Sequence, residues 1–354
     1  MFKCLSVIRI HLFLLYLPIL LCSRQVDTFY GPIEVEEPVV LELIDSPSFQ
    51  RLKHIHQYGV SYYTTHTEEY NRYDHSISVF AILRANGASL EERIAGLLHD
   101  VSHTAFSHVG DWVFGKENYE KDYQNNIHAS FLEKSGLGAI LRKHCFSIEQ
   151  VLPNEELFPA LENRLPNLCA DRIDYNIQGA YYQGFITYDE ALLIAQDVRY
   201  IDNKWVSTYP ELMKKLTRFS LFMTQDCWGS PANYITSRWL ADALLRGIEI
   251  GCLTFEDLHF GTDQAIWETL LHHSDPVIAE KMRMILQADA HFSVVDHDEG
   301  DFIIRSKFRG IDPWVVSGTT LTRITSLDPH LAEEYESAKG IVSKGWPIKM
   351  HSRH

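Results

Sequence analysis

An adjacent histidine and aspartate, His99 and Asp100, stand at the end of an apolar helical run and constrain the fold more than any other feature of this chain. His75 lies upstream in NRYDHS, and Asp171 lies downstream in ADRIDY. Two imidazoles and two carboxylates form a mixed nitrogen and oxygen ligand set. Such a set is typical of a site for a borderline divalent ion such as Mn, Fe, Ni or Co, and not of a closed thiolate zinc site. We therefore predict a metal centre that lowers the pKa of bound water.

A His-Asp pair at a helix end is common by chance, and the same residues also fit part of a zinc-protease motif. NRYDHS and ADRIDY each place an ionisable residue among apolar or aromatic neighbours, where an unpaired charge is costly, and this favours ligation over coincidence. HDVSH, residues 99–103, also has the histidine spacing of HExxH zinc proteases. Asp100 stands where that motif has its general-base glutamate, and its side chain is one methylene shorter. The zinc-protease interpretation also leaves His75 and Asp171 unexplained. The zinc-protease interpretation therefore ranks below a metal centre that uses all four residues.

Further histidines follow the pair. His103 is four residues after His99, so both face the same way if the helix continues. His108 lies in TAFSH, and His128 lies in NNIHAS. Asp111 is placed to orient one of these imidazoles and to select its tautomer. We expect one or two of the three histidines to contact substrate.

Composition narrows the class of partner. The chain has 354 residues with 32 Lys and Arg against 47 Asp and Glu, a net charge of −15. This balance argues against a general nucleic-acid or membrane-surface binder, so no double-stranded nucleic-acid partner is expected. A local basic pocket for a small anion is compatible with it. The six cysteines form no CxxC pair, so neither a zinc ribbon nor a disulfide scaffold is indicated.

The first 24 residues leave the location of the protein open. Lys3 and Arg9 precede an apolar stretch from Ile10 to Cys22, which resembles a signal peptide without an A-x-A cleavage site. The stretch is too short to predict a transmembrane helix. We predict a cytoplasmic protein, and export or membrane anchoring through residues 1–24 is the alternative.

Helical periodicity dominates the remainder. Ser89 and Glu92 have the spacing of a capping box, and Gly87 can end the preceding helix, 77–85. Other helices are predicted at about 47–56, 90–98, 127–135, 167–182, 188–197, 210–226, 233–250, 263–272 and 276–288, and short strands at 302–305 and 314–316. We predict a mostly α fold with one main domain, 25–290, whose core is 46–200. A small α+β tail, 291–354, is expected to pack on it.

These segments resemble the HD-domain phosphohydrolase superfamily, and in particular its deoxynucleoside triphosphate triphosphohydrolase (dGTPase) branch. The similarity covers GPIEVEEPVVLELIDSPSFQRLKHIHQYG, NRYDHS, LLHDVSHTAFSH, a histidine near His128, and LCADRIDY. It fades after about residue 200. The resemblance implies an HD-domain helical bundle that hydrolyses (deoxy)nucleoside triphosphates to nucleoside and triphosphate, with one divalent ion (Mn, Fe, Ni, Co, Zn or Mg).

The resemblance also assigns roles by position. The metal ligands it implies are His75, His99, Asp100 and Asp171. The catalytic residues it implies are His103 near the reacting phosphate, and His128 paired with Asp111 as the general acid. The substrate contacts it implies are Gln57, Arg72, His108, Arg172 and Tyr175. Asp45 and Gln50 match part of an activating guanine-nucleotide site at an oligomer interface, so a homo-oligomer is implied as well.

The sequence departs from this family at the sugar pocket. Gly179 stands where the family has an aspartate for the sugar, and Tyr58 stands where a smaller aliphatic residue is usual. In CWGSPANY, Trp228 replaces a tyrosine, and Ser230-Pro231 replaces a histidine-lysine pair. The metal and phosphate residues are complete, whereas the sugar residues are altered. A nucleotide-binding module that has lost turnover is therefore a second hypothesis.

Overall fold

The computed structural model describes residues 23–65, 70–115 and 123–351. Almost all of the proposed signal or anchor segment, 1–24, lies outside these residues. Among the described residues, no helix combines the length and apolar character needed to cross a bilayer.

The structure is mostly helical, as predicted. The α-helices are, in chain order, α1 Pro38–Asp45, α2 Pro47–Gln50, α3 Val60–Thr65, α4 Arg72–Ala85, α5 Leu90–Leu98, α6 Val109–Phe114, α7 Tyr123–Lys134, α8 Leu137–Lys143, α9 Ala170–Tyr182, α10 Tyr188–Asp197, α11 Pro210–Asp226, α12 Pro231–Glu249, α13 Phe255–Phe260, α14 Asp263–Leu271, α15 Pro276–Leu286, α16 Ile324–Leu327 and α17 Pro329–Lys344.

Short strands form three small sheets. The strands are β1 Arg24–Thr28, β2 Gly31–Val35, β3 Arg199–Ile201, β4 Lys204–Ser207, β5 Phe292–Val294, β6 Phe302–Ile304, β7 Trp314–Ser317, β8 Thr320–Arg323 and β9 Trp346–Met350. β1 and β2 form a hairpin, and the other sheets have the orders β3-β4-β7-β8 and β5-β9-β6. Since β7 pairs in parallel with β4, the C-terminal strands extend a sheet that begins within the helical part. The part of the chain after residue 290 contains both helices and strands, so its predicted α+β character is confirmed.

Local signals set the ends of the helices that carry the site. Asn71 caps α4 by accepting a hydrogen bond from the Asp74 backbone N–H at 2.9 Å, so α4 begins five residues before the predicted start at residue 77. Ser89 caps α5 through the Glu92 N–H at 3.1 Å, as predicted. The Glu92 carboxylate does not complete a capping box. It accepts instead from the backbone N–H groups of Ala160 and Leu161 at 3.0 and 3.1 Å.

These contacts place α4 at the centre of the molecule. α4 is buried on nearly all sides from His75 to Leu83, and it packs against both α5 and α9. Ala160 and Leu161 lie in the connection that leads into α9, so the Glu92 side chain holds that connection against α5. Three segments that are distant in sequence therefore pack together around α4.

Candidate metal centre

Three of the predicted ligands converge at one point. His75 lies near the start of α4, His99 directly follows α5, and Asp171 lies in the first turn of α9. Nε2 of His75 is 3.1 Å from Nε2 of His99 and 3.1 Å from Oδ1 of Asp171. Nε2 of His99 is 3.5 Å from the same Asp171 oxygen. The donor atoms of these three residues all lie within 4.8 Å of one another, an arrangement that can hold a metal ion as predicted.

The Asp100 carboxylate faces the same point. Its Oδ2 lies 3.6 Å from Nε2 of His75, and its Oδ1 lies 3.6 Å from Nε2 of His99. Arg72 forms a short ion pair with Oδ2, and His103 Nε2 lies 3.2 Å from Oδ1. Asp100 is therefore adjacent to the cluster, and its ligation remains a prediction.

Each imidazole of the centre is held through its other nitrogen. Nδ1 of His75 donates to Oδ2 of Asp174 at 2.6 Å, and Nδ1 of His99 donates to the Gly96 carbonyl at 2.7 Å. These acceptors select the tautomers that direct both Nε2 lone pairs toward Asp171. Two imidazole lone pairs facing each other at 3.1 Å repel unless a cation or a proton lies between them. The donor set therefore fits a divalent ion.

The charges of the site support the same fit. Burial lowers the pKa of His75, but hydrogen bonds to Asp171 and Asp174 outweigh it and raise that pKa to about 10. Burial raises the pKa of Asp100, yet the charges of Arg72 and His99 hold it well below the usual range. Without metal, the centre therefore keeps protons on imidazole nitrogens that face ionised carboxylates. A bound metal ion replaces those protons.

The helix that carries the pair ends at Leu98, so HDVSH is a turn and not a helical segment. The zinc-protease alternative requires His99 and His103 on one helical face. His103 instead turns toward Asp100, and burial together with the charge of Arg72 lowers the pKa of His103 to about 3. The structure thus removes the basis for the protease interpretation.

Asp111 orients His108 and not His128. Nδ1 of His108 lies 3.2 Å from Oδ2 of Asp111, and the His108 side chain is 62% exposed. Nδ1 of His128 lies 2.7 Å from the Ser102 hydroxyl. The expected pairing of His128 with Asp111 is therefore wrong, because Asp111 in the first turn of α6 reaches the histidine three residues before it.

His128 is a buried neutral imidazole. Burial, with the nearby charge of His99, lowers its pKa to about 4. Its Nε2 atom has no hydrogen-bond partner within the described protein, and Nδ1 of His103 has none either. Both histidines thus carry a buried ring nitrogen beside the metal cluster that is available to a ligand.

The predicted substrate contacts surround the centre in different ways. Arg72 is buried and is committed to Asp100 and to the Ser107 hydroxyl, the latter at 2.9 Å. Arg172 donates one N–H to the Asn167 carbonyl at 2.8 Å, so part of its guanidinium is engaged. Oε1 of Gln57 is buried without a hydrogen-bond partner in the described ranges.

Tyr175 and Gly179 follow Asp171 along one face of α9. The Tyr175 ring packs edge-on against Trp228, with 5.5 Å between centroids. A Cβ atom at Gly179 would lie 2.6 Å from Phe219 Cζ and 2.9 Å from the Tyr58 hydroxyl. Two aromatic side chains thus occupy the volume that a larger residue at position 179 requires.

The residues matched to a regulatory nucleotide site are engaged locally. Asp45 forms an exposed ion pair with Arg24 at 2.8 Å. The Gln50 amide donates to the Ile44 carbonyl at 2.7 Å. Both lie near the start of the described residues, and a regulatory site there stays a prediction.

Sequence reasoning missed Asp174, Ser102 and Glu162. Asp174 is fully buried, and it lies one helical turn after Asp171 in the same ADRIDY motif, which is a signal that points to it. Glu162 and Cys169 have potential donor atoms within 4.8 Å of those of Asp171. Burial raises the pKa of Glu162 to about 7. Nothing in the local sequence of Ser102 or Glu162 indicates these contacts.

Comparisons with known proteins agree with this geometry. A model of the HD domain matches residues 72–175. The chain is 32% identical over 328 residues to the uncharacterized protein YdhJ of Bacillus subtilis, covering 92% of this chain and 98% of that one. It is 31% identical over 293 residues to the metal-dependent phosphohydrolase cns2 of Cordyceps militaris, covering 81% and 83% of the two chains.

More distant similarities follow. The chain is 27% identical over 253 residues to the deoxynucleoside triphosphate triphosphohydrolase SAMHD1 of Danio rerio, covering 57% of this chain and 40% of that one. Among solved structures, a phosphohydrolase from Bacteroides thetaiotaomicron superposes with a TM-score of 0.68 at 16% identity, covering 93% and 100% of the two chains. At that identity the likeness shows a shared fold only.

Proposed function

The chain belongs to the HD-domain family, and from this premise we propose that it is a metal-dependent phosphohydrolase acting on a nucleotide. The observation that carries the proposal is the convergence of His75, His99 and Asp171, with each imidazole held through Nδ1 by a separate acceptor. The finer proposal is that a (deoxy)nucleoside triphosphate is cleaved to nucleoside and triphosphate.

The metal ligands proposed are His75, His99, Asp100 and Asp171. A divalent ion held there supplies Lewis-acid polarisation of a phosphoryl oxygen and lowers the pKa of water. Arg72 is a positioning residue in this scheme, because its ion pair fixes the Asp100 carboxylate. Its remaining N–H groups, with those of Arg172, provide positive charge and donors for phosphate oxygens.

His128 is proposed to protonate the leaving oxygen. Its pKa of about 4 keeps it neutral at pH 7 in the free protein. A phosphate group bound beside it favours the protonated form and raises that pKa. The Ser102 hydroxyl, 2.7 Å from Nδ1, holds the ring so that the unpartnered Nε2 is the nitrogen that can transfer the proton.

The sugar end is where the proposal departs from the family pattern. Residue 179 is a glycine, so it offers no carboxylate to the sugar, and Tyr58 and Phe219 fill the space that a larger side chain there would need. We assign the phosphate chemistry to the residues near Asp171. We propose that the sugar is selected by Tyr58 and Phe219, which face Gly179 two helical turns farther along α9.

The proposal is tested with the purified protein loaded with Mn or Fe and incubated with the four deoxynucleoside triphosphates, with and without GTP. Anion-exchange chromatography is expected to show deoxynucleoside and intact triphosphate. His99→Ala removes one ligand and is expected to abolish both metal retention and turnover. His272→Ala, a change at a side chain that is 74% exposed, is the matched control and is expected to retain both.

Other outcomes separate the alternatives. Monophosphate or free phosphate as product supports a phosphohydrolase and contradicts the triphosphohydrolase. Nucleotide binding without any product, with metal bound, contradicts the enzyme and favours the second candidate, a binding module. The crowding at Gly179 is the observation that favours this second candidate. Full metal occupancy in His99→Ala overturns the ligand assignment.

A further inference from the structure

A loop from the C-terminal α+β part lies beside the proposed active site. This loop, residues 305–311, follows β6 and carries the sequence RSKFRGI. The Ile311 backbone N–H donates to the Ser220 hydroxyl of α11 at 3.1 Å. The Tyr335 hydroxyl of α17 donates to the Gly310 carbonyl at 3.1 Å. The loop is therefore anchored at its C-terminal end by two separate helices.

Close packing continues along the loop. A Cβ atom at Gly310 would lie 3.0 Å from Leu221 Cδ2, so the loop backbone lies directly on α11. A Cβ atom at Gly229 would lie 3.1 Å from the Ser306 hydroxyl, so the start of the loop touches the turn that follows Trp228. Since the Trp228 ring packs against Tyr175, the loop reaches the phosphate side of α9.

Arg309 lies in this loop between Ser306 and Gly310, the two residues that pack against the Trp228 turn and α11. Burial raises the pKa of the Tyr175 phenol, and the positive charges of Arg172 and Arg309 both oppose that rise. Both positive charges therefore lie near enough to act on the same phenol. Arg309 is half-buried, and within the described residues no hydrogen bond or ion pair is found for it.

Two positive charges that act on one buried phenol also repel each other, and a bound anion relieves that repulsion. The chain as a whole carries a net charge of −15, yet the loop itself, residues 305–311, contains no carboxylate. The same corner contains two buried polar atoms without a hydrogen-bond partner in the described protein, Nε1 of Trp228 and the hydroxyl of Ser306. An indole N–H and a hydroxyl are donors that suit phosphate oxygens.

We infer that Arg309, with Arg172, Trp228 and Ser306, binds a second phosphate group of the substrate, one that is not cleaved. Tyr175 lies four residues after the ligand Asp171, about 6 Å farther along α9. That separation sets the second phosphate apart from the one at the metal centre. The inference rests on the proposed function, and it assigns the C-terminal part of the chain a direct role in selecting substrates that carry more than one phosphate.

The test measures binding as well as turnover. Isothermal titration calorimetry of the full chain uses tripolyphosphate and inorganic phosphate as probes, with wild type, Arg309→Ala, Arg309→Lys and Lys307→Ala. Lys307 is an exposed cation of the same loop, so Lys307→Ala makes the same change in net charge away from Tyr175. Thermal melting establishes that each variant is folded.

Arg309→Ala is expected to weaken tripolyphosphate binding by about tenfold or more, because a charge-assisted hydrogen bond is lost. Inorganic phosphate binding is expected to change by less than about twofold, and Arg309→Lys to be intermediate. KM for a nucleoside triphosphate is expected to rise in parallel with the tripolyphosphate Kd, with kcat little changed.

Three results overturn the inference: unchanged tripolyphosphate binding in Arg309→Ala, equal weakening in Lys307→Ala, or equal weakening for inorganic phosphate. Each leaves the proposed function standing if wild type still hydrolyses nucleotides. Conversely, a wild type that hydrolyses no phosphate ester contradicts the proposed function, while the binding difference between the variants still decides the role of Arg309.

Discussion

The hydrogen bond between Asp174 and His75 makes the sharpest prediction about the metal centre. Asp174 is fully buried, and its carboxylate accepts from Nδ1 of His75 at 2.6 Å and from the Tyr30 hydroxyl at 2.7 Å. The Gln178 amide donates to both of its oxygens, at 3.1 and 2.9 Å. Asp174→Asn places an NH2 group among these donors and removes the charge that makes His75 a stronger ligand. Loss of such a partner lowers metal affinity by roughly 10- to 100-fold, or about 1 to 3 kcal/mol.

The assay is competition for Mn or Zn against a chelator of known affinity, read by metal content after gel filtration. Tyr30→Phe is the matched control, because it removes one hydrogen bond to Asp174 and leaves the His75 contact in place. It is expected to change metal affinity by less than about threefold, since the charge beside His75 remains. Circular dichroism establishes that both variants fold. Asp174→Asn that binds metal within twofold of wild type refutes the argument that Asp174 orients and strengthens this ligand.

Two further predictions concern stability. Gly179→Ala is expected to lower the free energy of unfolding by about 1 to 2 kcal/mol in urea titrations, because overpacking against Phe219 outweighs the helix propensity of alanine. Gly340→Ala in α17, where no atom lies within 4 Å of the new Cβ, is expected to stabilise by up to about 1 kcal/mol, and equal effects at both glycines contradict the packing argument. The pKa of His128, lowered to about 4, lies below its unfolded value of about 6.5, so stability of the metal-free protein rises with pH between these values and falls as pH drops through them. Relative to wild type, His128→Gln is therefore expected to be more stable by about 2 kcal/mol at pH 4.5 than at pH 7, and a difference that does not change with pH excludes a buried neutral His128.

Local sequence predicts the ends of the well-capped helices but not the short strands. The predicted ranges 188–197 and 210–226 coincide with α10 and α11. Thr187 forms a complete capping box with Glu190, and Pro210 occupies the first turn of α11, so the start of each helix is determined by adjacent residues. The hairpin β1-β2 and the strands β3 and β4 were not predicted. They are three to five residues long, and their pairing depends on partners outside the local window.

The residues of the metal cluster could be predicted from the sequence for a different reason. His75, His99 and Asp171 belong to motifs whose residue types and order indicate metal chemistry, so the set was found without knowledge of distances. The partner of His128 could not be predicted, because Asp111 and Ser102 both lie well before it in the chain and only the packing of α6 and α7 selects between them.

The sequence by itself determined the helical class, the ends of the best-capped helices and the three residues of the metal cluster, because these depend on residue type, periodicity and neighbours in the chain. Only the tertiary structure decided that Asp174 supports His75, that Tyr58 and Phe219 close position 179, and that the loop with Ser306 lies against the turn after Trp228. Each of these last features joins atoms from separate elements. Such contacts are set by how α4, α9, α11 and the C-terminal loop pack together, and no local pattern in the chain specifies that packing.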